Sequence, residues 1–160
     1  MRNNRTRAPR DRATARRDTS ALAARIVVAA VLLINVQCAL SFALQPASFA
    51  GAYELSGVSG NVAVQGIGVA FLMWNATYPV VIANPRRYRA VFLIVLAQQA
   101  IGLVGETAIL LGLPAGHEVL AASILRFIAF DAAGFIAMLA AFAALQLRPP
   151  RTKDEAADQR

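Results

Sequence analysis

The chain contains one cysteine, Cys38, and one histidine, His117, and they stand far apart. A lone thiol cannot close an internal disulfide. One His and one Cys cannot assemble a zinc site, a bis-histidine haem or a Cys–His nucleophile pair. No catalytic residue, metal ligand or cofactor is therefore assigned. Charge is also scarce: Asp, Glu, Lys and Arg make up 16% of the residues, against 58% hydrophobic. That imbalance is foreign to soluble domains of this size. The net charge of +7 does not point to nucleic acid, because no aromatic is interleaved with the basic residues and no groove-reading motif accompanies them.

What charge there is lies in islands. Eight arginines fall within the first 25 residues, from Arg2 to Arg25, and three more in the corner Asn84-Pro-Arg-Arg-Tyr-Arg89. The tail adds Arg148, Arg151, Lys153 and Arg160. Between the islands the chain is nearly uncharged for roughly 20 residues or more at a time, the length a helix needs to cross a bilayer. Residues 1–20 are basic and poor in apolar side chains, so they are expected to be a disordered tail. A cleaved leader is the rival reading, since Arg16-Arg17 precedes an apolar run and Cys38 follows a loose lipoprotein-like box. Residues 21–147 should form the membrane domain, with spans at about 23–44, 62–83, 90–112 and 119–145. Residues 148–160 follow as a mobile tail.

Proline and glycine punctuate these spans. Gln45-Pro46 ends the first, and Asn84-Pro85 ends the second by removing a backbone donor and disfavouring helix in the preceding residue. Leu113-Pro-Ala-Gly-His-Glu118 turns the third into the fourth, and Arg148-Pro-Pro stops the fourth. Fifteen basic residues then fall on one side, and Glu54, His117 and Glu118 on the other, which places both termini in the cytoplasm of a cell-membrane protein. The expected fold is all-α, an integral membrane up-down four-helix bundle. An open sheet cannot cross lipid. In the fourth span Ala129, Ala133, Ala137 and Ala141 recur every four residues, a smooth stripe suited to close helix packing or, facing outward, to a homo-oligomer.

Three charged residues lie deep within the spans. Glu106 stands six residues before the end of the third span, and Arg126 seven after the start of the fourth. At ~1.5 Å per residue both are roughly 9 to 11 Å below the same boundary, so an ion pair between them is expected. Asp131 lies ~18 Å deep, near the midplane. At its level stand Gln98 and Gln99, Asn75 and, less closely, Asn35. Two polar layers follow, one around Glu106 and Arg126, the other around Asp131, Asn75 and Gln99. They serve either helix–helix adhesion or a polar cavity that takes a small molecule or a proton. Phe127, Phe130 and Phe135 read as packing. Tyr53, Glu54, His117 and Glu118 read as a cap on the bundle.

Tyr53-Glu-Leu-Ser-Gly-Val-Ser-Gly60 is followed by Val64-Gln-Gly-Ile-Gly-Val-Ala-Phe71. A tyrosine-bearing loop before a glycine-rich second span resembles small bacterial four-helix membrane proteins of the DoxX-like kind, over about 120 residues. Some of those are linked to quinol oxidation or redox complexes. The resemblance implies a bacterial inner membrane and an accessory role, and it carries over no catalytic residue. The expected function is thus a non-catalytic accessory subunit or a binder of a hydrophobic small molecule. A small proton-coupled transporter using Asp131 and Glu106 is the alternative, and a membrane enzyme acting on lipid or quinone the second. The expected partners are the lipid bilayer and a membrane complex or a second copy of the chain.

Overall fold

In a computed structural model, the described residues, 7–147 (side chains from residue 19), are helical almost throughout. They form α1 (Arg7–Leu44), α2 (Ala47–Ala50), a 3-10 turn (Gly51–Tyr53), α3 (Gly57–Asn75), α4 (Tyr78–Ala83), α5 (Arg89–Leu111) and α6 (Glu118–Gln146). Four spans are long and apolar enough to cross a membrane: Thr19–Leu44, Gly57–Ala83, Arg89–Leu111 and Glu118–Gln146. The chain is a four-helix bundle of the membrane type. Its outer faces carry large apolar side chains such as Leu33, Val58, Met73, Val104 and Leu111. Lipid chains can solvate such faces, whereas water would leave them as one continuous apolar patch.

Two boundaries differ from expectation. Helix α1 reaches back to Arg7, into the segment read as disordered. Ala and Arg, which dominate that segment, are among the strongest helix formers. Residues 1–6 and the expected mobile tail 148–160 lie outside the described residues. The second span, in turn, is two helices with a break at Ala76–Thr77. Pro79, in the first turn of α4, is the cause: its ring collides with the carbonyl of Asn75 and it offers no amide. The Thr77 hydroxyl bonds back to the Trp74 carbonyl at 3.4 Å, and the Asn75 side-chain amide to the Phe71 carbonyl at 2.7 Å. Broken backbone at this depth is tolerated where protein groups satisfy it.

The helices pack unequally. Helix α1 lies against α3, α4 and α6, while α5 lies against α6 and α4. By contrast, α3 and α5 do not closely approach. The bundle is therefore closed on the half that holds α4 and parts on the half that holds α3. At the closed, basic end an apolar core gathers Val28, Tyr78, Val81, Phe92, Val95 and Met138. Arg86 ties that end together, donating to the Ser20 hydroxyl at 2.7 Å and to the Leu145 carbonyl at 3.4 Å. Arg25 donates to the Ile82 carbonyl at 2.7 Å.

Close packing comes from glycines rather than from the alanine stripe. A Cβ on Gly68 would stand 2.7 Å from both the Ala39 carbonyl oxygen and the Ala43 nitrogen, so α1 and α3 meet there backbone to backbone. In α6 the buried small residue is Gly134, beside Val31 and Gln99. Ala129, Ala133 and Ala137 are exposed. Their stripe faces away from the bundle, because the inward arc of α6 is fixed by Ser123, Ile124, Gly134 and Met138.

Candidate functional site

Where α3 and α5 part, the four spans enclose a cavity of about 270 Å³. All five residues expected to form the polar core line it: Asn75, Gln99, Glu106, Arg126 and Asp131. Its walls are otherwise apolar and aromatic. Helix α1 contributes Ile34, Asn35 and Cys38, α3 contributes Phe71 and Trp74, and α6 contributes Phe127 and Phe130.

The floor of the cavity is a hydrogen-bonded belt. Tyr78, at the start of α4, donates its hydroxyl to Gln99 Oε1 at 3.0 Å. Gln99 in turn donates through Nε2 to Asp131 Oδ1 at 2.6 Å. The Gln99 amide is thereby oriented, since its oxygen must face the phenol and its nitrogen the carboxyl group. Gln99 is 2% exposed and Tyr78 fully buried, so each depends on the other for satisfaction. Two further links run alongside: Asn35 Nδ2 donates to Asn75 Oδ1 at 3.1 Å, and Thr77 to Gln98 Oε1 at 3.0 Å. The break in the second span lies at this level. The residues around it that would weaken a straight helix supply Asn75, Thr77 and Tyr78 to the belt.

Gly102 makes room for the acid. A Cβ at this position would lie 2.7 Å from Asp131 Oδ2 and 3.6 Å from the Trp74 ring. Asp131 therefore rests against the bare backbone of α5, with Oδ1 held by Gln99 and Oδ2 against Gly102.

The upper layer differs from expectation. Glu106 and Arg126 share the cavity, but among the described residues the ion pair within 4.0 Å is His117–Glu54, and Glu106–Arg126 is not made. Arg126 is exposed although it lines the cavity. Glu106 Oε2 is buried and has no hydrogen-bond partner among the described residues. Depth alone put the two residues at one level. It did not fix the width of the space between them.

A strap covers the end of the cavity away from the termini. Helix α2 and the 3-10 turn place Phe49 and Tyr53 on Phe42, with ring centroids 4.9 and 5.9 Å apart. Phe42 also meets Phe71 at 6.2 Å and Phe127 at 6.1 Å, the last two being cavity walls. Burial, together with the charges of nearby Cys38 and Glu106, pushes the Tyr53 hydroxyl above its ordinary range, so it stays protonated. Glu54 latches the strap. Its backbone adopts the left-handed conformation, φ 55°, rare for a side chain other than Asn, Asp or Gly. From there its carboxylate meets His117 Nδ1 and accepts the Leu120 amide at 3.3 Å. Leu120 is in the first turn of α6, where a carboxylate is favoured by the helix dipole. The expected cap thus exists, with Tyr53, Glu54 and His117 in it, while Glu118 is exposed.

Several wall residues escaped the sequence reading. Phe127 stands four residues before Asp131, and Phe71 four before Asn75. Helical spacing puts each pair on one face, a signal that was present, though Phe127 reads as packing and Phe71 carries no reading of its own. Phe135 does pack against the core. Tyr78 was missed because a single tyrosine in an apolar run gives no hint of a partner. Among the described residues no three of His, Cys, Asp and Glu come together as a metal-binding group. In comparison with known proteins, no family model matches the chain, and neither a curated protein nor a solved structure matches it.

Proposed function

We propose that this chain is a non-catalytic, multi-pass membrane protein that binds a hydrophobic small molecule with a polar head. The observation that carries this reading is the cavity of about 270 Å³ that all four spans line, apolar on its walls and polar on its floor. Cavities of this kind, mostly apolar with a few convergent polar groups, suit ligands. Helix–helix adhesion alone would be served better by a filled interior, because an empty space forfeits packing energy. The arginine islands support placing both termini on the cytoplasmic side, so that the strap and its Glu54–His117 latch face outward.

A second reading, a small proton-coupled transporter, draws on Asp131 and Glu106 lining one cavity. It requires a path through the basic end, where the packed core of Val28, Val81, Phe92 and Met138 lies. The binding reading needs no such path.

Native mass spectrometry of protein released gently from its own membrane tests the proposal. The wild type should carry a reproducible small added mass. Cys38→Phe, which sets an aromatic ring in the cavity from a half-buried position, should lose it while keeping the same melting temperature. A wild type free of added mass, or a variant that keeps it at equal occupancy, would overturn the proposal.

A further inference from the structure

Resting on the binding role proposed above, we infer that the polar head of the ligand is a cationic amine, borne on an aromatic or branched apolar body. The amide donors of the cavity are already spent. The amides of Asn35, Asn75 and Gln99 are engaged with one another, with Tyr78, with a backbone carbonyl or with Asp131. What the two acids offer is acceptor oxygen. Glu106 Oε2 is buried with no partner among the described residues, and the hydrogen bond that Asp131 receives on its carboxyl group from Gln99 falls on Oδ1, which leaves Oδ2 against Gly102. The two acids come from α5 and α6, and both residues line one space.

An occupant that satisfies both must donate hydrogen bonds, and a charged donor does so about twice as strongly as a neutral one. An ammonium group has up to three N–H donors and no acceptor to leave unsatisfied. The aromatic rings on the walls add to the selection. Phe71, Trp74, Phe127 and Phe130 present π-systems, which attract cations, tryptophan most strongly. Arg126 is the one cation on the lining. It is exposed and makes no ion pair with either acid among the described residues. An anionic head placed against it would share the cavity with two carboxyl groups. Volume limits the body: about 270 Å³ admits an arylalkyl group of drug-fragment size and excludes a two-chain lipid.

Trp74 is the only tryptophan in the chain and lines the cavity, so its emission reports occupancy without a label. The purified full-length chain in nanodiscs would be titrated with 4-phenylbutylamine, 4-phenylbutanol and 4-phenylbutyrate, three heads on one body. The amine should perturb Trp74 emission at concentrations about tenfold or more below the other two, equivalent to about 1.4 kcal/mol. In Glu106→Gln and in Asp131→Asn the preference for amine over alcohol should collapse to about threefold or less, with the alcohol affinity retained. Glu118→Gln, at an exposed site off the cavity, is the control and should leave the preference intact. Equal or tighter binding of the alcohol or the carboxylate by the wild type would overturn the amine assignment and leave the binding role standing. A Trp74 signal that responds to none of the three would overturn both. The wild-type series decides the matter even where a variant fails to fold.

Discussion

Gln99 is the residue on which the interior turns. Its oxygen takes the Tyr78 hydroxyl and its nitrogen holds Asp131, so one side chain links α4, α5 and α6. Gln99→Leu keeps the volume and removes both bonds. Hydrogen bonds within membranes contribute ~0.6 to 2 kcal/mol each, and the change leaves a buried phenol and a half-buried carboxyl group without their partner. A loss of about 2–3 kcal/mol is expected, measurable by unfolding in mixed micelles. Gln99 was legible in the sequence because depth placed it opposite Asp131. Tyr78 was not, because its role depends on a break that turns α4 toward α5. Glu106 and Arg126 show the limit of depth arithmetic: rise per residue gives the level of a side chain, while its reach depends on the rotamer and on the space around it.

At the scale of the elements, the pairing of α1 with α3 rests on Gly68, and the strap rests on Glu54. Gly68→Ala would drive a methyl group into the backbone of α1, with 2.7 Å contacts to Ala39 and Ala43. It should cost about 1–3 kcal/mol. Gly66→Ala, with nothing within 4 Å of the added carbon, should be neutral or slightly stabilising, since alanine favours helix. The sequence offered both glycines alike, and only packing separates them.

The strap has a pH dependence of definite sign. The bond to His117, and then that to the Leu120 amide, hold the Glu54 carboxyl group below its ordinary value of 4.5. A carboxylate depressed in the folded state stabilises above its unfolded pKa, and the contribution is lost as pH falls through the folded one. Protection from hydrogen exchange across residues 47–56, taken relative to the intrinsic rate at each pH, should therefore hold at neutral pH and fall below about pH 4.5. In Glu54→Gln the acid-dependent step should disappear, with protection below that of the wild type at neutral pH and matching it once the wild-type carboxylate is protonated.

At the scale of the whole molecule, the four spans were legible because apolar runs of bilayer length between arginine islands allow few other architectures. The break in the second span was legible in principle from Pro79, yet Asn84-Pro85 offered a more obvious stop. The opening between α3 and α5 had no signal in the sequence. It follows from that break, which lets α4 pack on α5 while α3 follows α1. One fold thus combines a closed basic end, a polar belt at mid-depth and an aromatic strap, with the cavity between belt and strap.

The accessibility of that cavity is the central claim, and the only thiol of the chain is placed to measure it. Cys38 lines the cavity, whereas Leu33, on the same helix, faces outward with 69% of its surface exposed. The rate at which a small methanethiosulfonate reagent modifies Cys38 in bilayers is to be compared with the rate at Leu33→Cys in a Cys38→Ala background. Thiol modification proceeds through the thiolate, which lipid suppresses and a polar, hydrated space permits. An accessible cavity predicts that Cys38 reacts about tenfold or more faster than the lipid-facing cysteine, and that Ile34→Trp, which fills the cavity, removes the difference. Equal and negligible reaction at both positions would contradict the account and leave a packed interior in place of a site.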